Sequence, residues 1–539
     1  MDNQYNQPNS PIQPTISGAQ LPPPAIPSLP EKPKPRYSTA DAAFAWICFA
    51  LGFVFARYVT QFCGGLWGGI FWAAFGILTA AYARVKGLKT NIEQKVVFAV
   101  AEIFCLVPVF CASSFINSLA AWFSFLLLFY LCVTVSGAEL FGKHFAADLF
   151  KSVAIRPFKS FGSAPAAAFS PVKRGKGVKN IAYVLIGLVI AVPLTLVSVG
   201  LLILSDGYFE SIMRDFFSSL PQFSFSIIWQ VIFGAIVGMF LFGALYSSGK
   251  PTAGYDPSAP AYRVLPAAVS YSAVTPVCVF YLVYIITQIR YLTGAVTGQL
   301  PEGFSVSEFA RRGFFELCVV AVINLCVITV MLAFTARGEA DRPKKALRIY
   351  TIVISVFTLL LISSAFSKMA FYIKSYGLTQ LRVYTSWFMV VLAAVFVVII
   401  IKQLAEIPMW RVLFISFTVM LALLCFSNLD GQIARYNINA CRSGALKEID
   451  MNSMAELNGM AAEAVAELVI NGECSDCGIS AEEADKFLAT QLYKMEQQND
   501  FAYFSIPRLT ALNAINKAGI TEEKMQEYLP EQYLEYSNQ

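Results

Sequence analysis

Long apolar runs separated by short polar connections dominate the chain from residue 42 to residue 427. Each run is close to the roughly 20 residues that an α-helix needs to cross the hydrocarbon core of a bilayer. The runs fall near 42–60, 64–83, 95–113, 117–136, 180–204, 226–246, 266–289, 313–335, 346–366, 382–402 and 409–427. This pattern predicts an all-α, polytopic transmembrane helical bundle of about eleven spans that occupies residues 39–427.

Two polar regions flank the apolar runs. Residues 1–38 are rich in proline and lack an apolar block, which predicts a disordered cytoplasmic tail. Several of these prolines recur every third residue, a spacing that also suits a polyproline II ligand for a partner domain. Residues 428–539 carry helical signals, including a capping box from Ser480 to Glu483, and we expect a small, soluble, acidic helical region there.

Composition and charge support a membrane protein. Hydrophobic residues make up 57% of the chain and charged residues 14%, too few charges to cover a soluble surface of this size. From Asn428 onward, eighteen acidic residues face only eight basic ones, so the rest of the chain is net basic. Because those basic residues lie mostly in loops between apolar runs, a nucleic-acid partner is not predicted.

Lysine and arginine are unevenly shared between the two sets of loops. They concentrate before residue 37 and in the connections 84–95, 143–179 and 337–348, which the alternation of spans places on one side. The positive-inside rule then predicts a cytoplasmic N-terminus and, after eleven spans, an extracytoplasmic C-terminus in the plasma membrane.

A dense basic cluster just before one span suggests contact with lipid headgroups. Its members are Lys173, Arg174, Lys176 and Lys179. Such a cluster binds anionic lipids, although a plain orientation signal explains it more simply. Other partners are expected to be proteins that bind either tail.

Three segments resemble a known group of bacterial membrane proteins. They run from Ser364 to Arg382, from Asn428 to Asn437, and from Arg311 to Leu317. This patterning is similar to domain of unknown function 4173 and its neighbour 4153, over about residues 260–460. The resemblance implies a polytopic bacterial membrane protein and brings no assigned activity with it.

Several classes of active site are excluded by what the chain lacks. The single histidine, His144, falls in a loop predicted on the cytoplasmic face, so we predict neither a serine–histidine–aspartate triad nor a histidine-based metal site. The chain also has no GxxxxGK[ST] phosphate loop. We therefore predict no metal, no cofactor and no catalytic residue.

Polar residues inside predicted spans are the first candidate site, because they are costly in lipid and often functional. Glu102 lies within the third span, while Glu316 and Asn324 share the eighth. They either line a polar path or pocket, or they hydrogen-bond neighbouring helices. The structural role is favoured for Glu102 and more strongly for Asn324.

The connection after the ninth span is the second candidate site. Lys368, Tyr372 and Arg382 fall in or beside it, on the face that the positive-inside rule leaves poor in basic residues. We expect a compensating group, such as Glu316, an anionic headgroup, or Asp430 directly after the last span.

Cys474 and Cys477 form a CxxC motif in the acidic tail. An extracytoplasmic position permits a disulfide between them. Neighbouring acidic residues disfavour the low thiol pKa of a redox enzyme, so a local disulfide or two free thiols are the favoured interpretations.

Three functions fit these observations. The first is a non-enzymatic envelope protein that senses or organises, using its tails as contact elements. The second is a secondary transporter or lipid-handling permease with Glu102 and Glu316 along its path. An intramembrane enzyme acting on lipid-linked substrates is the weakest, because no acid–base pair with a definable geometry emerges.

Overall fold

The computed structural model describes residues 37–60, 65–134, 140–142, 145–170, 191, 195, 198–219, 222–248, 265–297, 314–335, 345–498 and 500–528. In these ranges all regular structure is helical, apart from one isolated bridge between Leu265 and Thr335. The protein is therefore an all-α bundle, as the apolar runs predicted.

Helices are numbered in chain order. Up to residue 426 they are α1 (Thr39–Val54, continued by a π-helical turn, Phe55–Val59), α2 (Leu66–Val85), α3 (Ile92–Cys105), α4 (Val107–Phe110), α5 (Ser114–Thr134), α6 (Phe145–Ala154), α7 (Arg156–Lys159), α8 (Ser163–Ala168), α9 (Gly207–Ser219), α10 (Gln222–Ser248), α11 (Ala267–Thr297), α12 (Phe314–Phe334), α13 (Lys345–Tyr376), α14 (Gln380–Leu404) and α15 (Met409–Phe426). The C-terminal region contains α16 (Leu429–Arg442), α17 (Met451–Ala455), α18 (Ala461–Asn471), α19 (Ala481–Gln497), α20 (Ile506–Lys517) and α21 (Glu522–Tyr528), with 3-10 turns at Cys474–Cys477 and Phe501–Tyr503.

Among the described residues, 9 helices are long and apolar enough to cross a membrane, namely α1, α2, α5 and α10 to α15. The span predicted at 95–113 is instead two helices. α3 ends at Cys105 and α4 carries Pro108 in its first turn, where proline has no N–H to continue the helical hydrogen bonds. Most of the span predicted at 180–204 lies outside the described residues.

The first helix group comprises α1 to α5, α10 and α15, which share one apolar core. Within it, the backbones of α1 and α10 approach closely. A Cβ added to Gly52 would lie 2.0 Å from the carbonyl oxygen of Gly234, and one added to Gly238 would lie 2.8 Å from that of Cys48. Small residues thus bring two backbones together, which favours helix association where lipid weakens the hydrophobic drive.

The second helix group comprises α11 to α14, which surround a smaller core. Hydrogen bonds between side chains connect these helices. Asn324 on α12 accepts from the Tyr281 hydroxyl on α11 (2.7 Å) and donates to Thr358 Oγ1 on α13 (2.9 Å). α14 also reaches the first group, where the hydroxyls of Tyr384 and Ser113 lie 3.2 Å apart.

Residue 37 and the C-terminal region lie at opposite ends of the bundle. Close to residue 37, Asp41 on α1 forms a 2.7 Å ion pair with Lys86 at the end of α2. At the start of α2, Trp67 packs edge-on against Phe501 of the C-terminal region, with ring centroids 5.7 Å apart. One helix, α2, therefore contacts the segment near residue 37 at its end and the C-terminal region at its start.

The C-terminal helices pack on the membrane region without a break in the core. Leu429, Ile433 and Leu457 belong to the same buried cluster as residues of the first helix group. The chain enters this region through Asn428, whose left-handed backbone (φ 46°) reorients it between α15 and α16. The predicted helical signals are present: Ser480 caps α19 and α20 contains Pro507.

Candidate functional site

A buried carboxylate joins the C-terminal region to the membrane helices. Asp430 lies in the first turn of α16 and is only 3% exposed. Its Oδ1 accepts from the side-chain amide of Gln380, the first residue of α14, at 2.7 Å. Its Oδ2 accepts from the side-chain amide of Asn458, between α17 and α18, at 2.9 Å. One side chain thus connects three segments that are distant in sequence.

A second connection runs between α16 and the turn that joins α13 to α14. The side chain of Asn437 accepts from the Leu378 N–H (2.7 Å) and donates to the Leu378 carbonyl (2.9 Å). The adjacent Gly377 has a positive φ of 76°, and a Cβ there would lie 2.7 Å from Asn437 Oδ1. Only glycine suits that backbone at so short a distance. We call the contacts of Asp430 and Asn437 with this turn and α14 the junction.

Arg382 stabilises the turn itself. Its guanidinium donates to the carbonyl oxygens of Tyr376 (2.9 Å), the last residue of α13, and of Gly377 (2.5 Å), which follows it. The same group lies over the Tyr372 ring, 4.1 Å from the centroid, in a cation–π arrangement. The positive charge predicted on this face is therefore used to close the end of a helix.

Burial and hydrogen bonding act in opposite directions on Asp430. Burial raises the pKa of its carboxyl, and the amide groups of Asn458 and Gln380 partly offset that shift by stabilising the charged form. The nearby Asp450 behaves differently. The Ser453 hydroxyl lowers the pKa of Asp450 most, against a smaller rise from burial, and the charge of Arg382 lowers it further.

Lys368 and Glu316 lie close enough for their charges to attract each other, one on α13 and the other in the first turn of α12. Glu316 is exposed at the edge of the second helix group, and Lys368 is half-buried. The described contacts do not connect this pair to Asp430.

Glu102 lies on α3, within the first helix group and away from the junction. A Cβ added to Gly76 on α2 would lie 1.8 Å from Glu102 Oε1, so the absence of a side chain at Gly76 makes room for the carboxylate. Its Oε1 is buried without a hydrogen-bond partner. Asn324 contrasts with it, because both ends of its amide are bonded to neighbouring helices.

The CxxC motif forms a 3-10 turn packed inside the C-terminal region. Cys474 and Cys477 both carry free thiols here and are 7% and 0% exposed. Burial is the main cause that raises the pKa of Cys477, to about 11, and a hydrogen bond with the neighbouring Cys441 adds to it. Within the part of the chain described, no cluster of three or more His, Cys, Asp or Glu side chains is arranged to hold a metal.

Two predicted contact elements cannot be placed. Both lie outside the described residues: the proline-rich residues 1–36, and the basic cluster of Lys173, Arg174, Lys176 and Lys179.

Sequence reasoning missed the amide side chains that complete the junction. Gln380 and Asn437 belong to the segments that carry the family resemblance, but neutral amides are common and gave no separate signal. Asn458 precedes Gly459, and both have positive φ values. An Asn–Gly pair indicates a turn, which locates the segment but not its partner.

The junction lies within the part of the chain that a family model matches. A family model described as Domain of unknown function (DUF4153) matches residues 98–468. The chain belongs to the DUF4153 family. The match supports the predicted relation to 4153, not to 4173 specifically, and it begins well before residue 260, so it includes Glu102 as well as the junction. No curated protein and no solved structure matches.

Proposed function

We propose that this DUF4153 protein is a non-enzymatic envelope protein that senses or organises, with the C-terminal region as its output. The junction is the observation that carries the proposal. Through Asp430 and Asn437, α16 is hydrogen-bonded to α14 and the turn before it, which belong to the second helix group. Through Leu429 and Ile433, the same helix packs into the core of the first group. A relative shift of the two groups would therefore move α16.

The expected signal is a change in the bilayer, such as its thickness, that alters how the two groups pack. The test uses the full chain in nanodiscs of two thicknesses, with an environment-sensitive fluorophore on Lys447→Cys, an exposed position after α16. We expect the emission to differ between the two nanodiscs.

The matched variants are Asn437→Ala, which removes both hydrogen bonds to Leu378, and Asn439→Ala, an exposed asparagine on the same helix. Asn437→Ala is expected to abolish the difference in emission and Asn439→Ala to keep it. If the protein with an unaltered junction gives the same emission in both nanodiscs, the sensing role is rejected.

We further propose that the N-terminus is cytoplasmic and the C-terminal region extracytoplasmic in the plasma membrane. The positive-inside rule supports this, since the basic loop at 84–95 lies at the end of the bundle that holds residue 37. Because Cys474 and Cys477 are buried, exposed lysines are better reporters. A membrane-impermeant maleimide should label Lys447→Cys in intact cells and Lys89→Cys only after lysis; the reverse would invert the orientation.

A secondary transporter or lipid-handling permease is the second candidate, and the unpartnered Oε1 of Glu102 is the observation that favours it. The experiment measures proton flux into vesicles that contain the purified protein, with a pH-sensitive dye. Transport through Glu102 would be lost in Glu102→Gln and kept in Glu93→Gln, a substitution in the first turn of the same helix. No flux above that of empty vesicles would reject proton-coupled transport.

We also propose that the basic cluster before residue 180 binds anionic lipid headgroups. Replacing Lys173, Arg174, Lys176 and Lys179 together by glutamine should weaken binding of the purified protein to anionic lipid, measured by the lipid that co-purifies with it. Protein partners are expected to bind through either tail.

A further inference from the structure

Exposed apolar side chains in the C-terminal region are concentrated in one short segment. In the described part of this region seven large hydrophobic side chains are exposed, and two of them, Tyr436 and Ile470, lie on α16 and α18. The other five lie on the second 3-10 turn and the start of α20, namely Phe501, Tyr503, Phe504, Ile506 and Leu509. We call these five side chains the apolar patch. A cluster of this kind, unlike a single exposed leucine, marks a surface that contacts lipid or protein.

The five side chains form one continuous surface. Ile506 and Leu509 are three positions apart on α20, so they lie on the same face of that helix. Leu509 also lines a groove of about 480 Å³ together with Phe501, Tyr503 and Phe504. Phe501 is 57% exposed and Leu509 is 45% exposed, which leaves a large apolar area of the patch without cover from the protein.

The patch carries almost no charge, although the C-terminal region as a whole is acidic. Arg508 is the only charged residue from 501 to 509. Its guanidinium is directed to the backbone, where it donates to the carbonyl oxygens of Met495, Gln498 and Tyr503. An uncharged, aromatic-rich surface suits the boundary between lipid headgroups and acyl chains, where aromatic side chains are enriched.

The patch begins where a membrane span begins. The Phe501 ring packs against Trp67, which is the second residue of α2. Trp67 in turn stacks on Tyr58, in the π-helical turn that continues α1, with ring centroids 4.6 Å apart. Both α1 and α2 are long and apolar enough to cross the bilayer. Aromatic side chains at the ends of such helices lie at the level of the headgroups, so Phe501 lies at that level as well.

The exposed face of α2 connects the patch to the lipid-facing surface of the bundle. Ile70 follows Trp67 by three positions, and Ile77 follows two helical turns later; both are exposed. Residues at these spacings share one face of a helix. An apolar stripe therefore runs along α2 to Trp67 and Phe501. On a helix that spans the bilayer this stripe contacts lipid, and the apolar patch continues it beyond the start of the span.

We propose that the apolar patch inserts into the interfacial layer of the leaflet in which α2 begins, so that the C-terminal region is anchored to the bilayer surface. The partner is the bilayer itself, which the patch contacts through apolar and aromatic side chains and not through charge. This anchoring goes beyond the proposed sensing function, and it applies to either orientation of the protein in the membrane.

The test identifies what the patch touches in a bilayer. The photo-reactive residue p-benzoylphenylalanine, which forms a covalent bond to a nearby C–H group on irradiation, replaces Phe504 or, in a second variant, Leu509. Both are exposed, so neither replacement disturbs the core. The full-length protein is reconstituted at low density in phosphatidylcholine liposomes and irradiated. Mass spectrometry then detects peptides that carry an added lipid mass, and gel mobility detects cross-linked copies of the chain.

The matched control carries the same replacement at Glu482, an exposed residue in the first turn of α19. At 1.5 Å per residue, Glu482 is about 22 Å along the helix axis from Gln497, at the end that leads to the patch. We expect lipid adducts at positions 504 and 509 and none above background at position 482. The adduct yield should stay the same when phosphatidylglycerol replaces part of the phosphatidylcholine, because the patch is uncharged.

Three outcomes would overturn the anchoring. Adduct yields at positions 504 and 509 no higher than at 482 would mean that the patch faces water. Cross-links between two copies of the chain in place of lipid adducts would show that protein covers it. Adducts that form only with phosphatidylglycerol present would mean that charge, and not apolar contact, brings this segment to the membrane.

Discussion

The two helix groups are held together by different kinds of contact. In the first group, α1 and α10 meet at glycines, aromatic rings of α2, α5 and α10 pack together, and the spanning windows are 17% to 67% buried. In the second group the spanning windows are 11% to 44% buried, and hydrogen bonds such as Tyr281–Asn324–Thr358 link the helices. Since lipid is as apolar as leucine, apolar contact alone specifies the position of a helix poorly. The hydrogen bonds of the second group therefore help to define its arrangement.

The C-terminal region contacts both helix groups, and each contact is of a different kind. It shares apolar core with the first group, through residues such as Ile433, and it is hydrogen-bonded to the second through Gln380 and Leu378. Contacts of these two kinds respond differently to a substitution, so each can be disturbed separately.

The largest effect is expected where backbones touch. Gly52→Ala places a methyl group 2.0 Å from the Gly234 carbonyl oxygen, so α1 and α10 must separate. We expect a loss of about 1–3 kcal/mol, seen as a lower melting temperature in detergent. Gly68→Ala is the control, because a Cβ there meets nothing within 4 Å. Equal melting temperatures for the two variants would contradict the close packing of the first group.

In the second group the sensitive position is a hydrogen-bonding side chain. Asn324→Leu removes both the acceptor for Tyr281 and the donor to Thr358. The expected cost is about 0.6 kcal/mol for each of the two hydrogen bonds and at most about 1.7 kcal/mol for either, the range for hydrogen bonds between membrane helices. Thr329→Val serves as the comparison, since the Thr329 hydroxyl bonds only within its own helix, to Leu325. If Asn324→Leu is as stable as Thr329→Val, the hydrogen bonds of Asn324 to Tyr281 and Thr358 are dispensable for stability.

At the junction the expected effect is on the pH dependence of stability. Burial raises the pKa of Asp430 above its unfolded value, so folding takes up a proton at pH values between the two. Acidification through that window should therefore stabilise the parent protein relative to Asp430→Asn. Asp450 has a lowered pKa, chiefly through Ser453, so the parent should lose stability relative to Asp450→Asn on acidification. Melting temperatures across the acidic range measure both trends, and trends of the same sign would refute the assignment.

The smallest effect is expected at the end of the bundle opposite to the junction. Arg411 and Glu93 form a 2.5 Å ion pair, with side chains that are 47% and 40% exposed. Arg411→Gln should cost less than about 1 kcal/mol, because water and salt screen such pairs. The measurement is the melting temperature at low and high salt, where the difference from the parent should shrink as salt rises. A large loss that ignores salt would mean that Arg411 contributes through packing instead.

Much of the architecture could be predicted because hydrophobicity along a membrane chain is a local property. Nine of the predicted spans are present as helices of spanning length in the described residues. The break at Leu106 was harder to predict from the sequence. Pro108 can either kink a helix or divide it, and which of the two happens depends on what packs against it. The candidate residues show the same limit: Asp430 was singled out by its position after the last span, but its partners were not.

The sequence by itself determined the all-α membrane architecture, the helical C-terminal region and the relation to the 4153 family, since each rests on residues close together in the chain. Only the tertiary structure decided which polar residues meet. Asp430 lies 50 positions from Gln380 and 28 from Asn458. Hydrogen bonds between amides and carboxylates depend on distances of about 3 Å, which no periodicity in the sequence encodes.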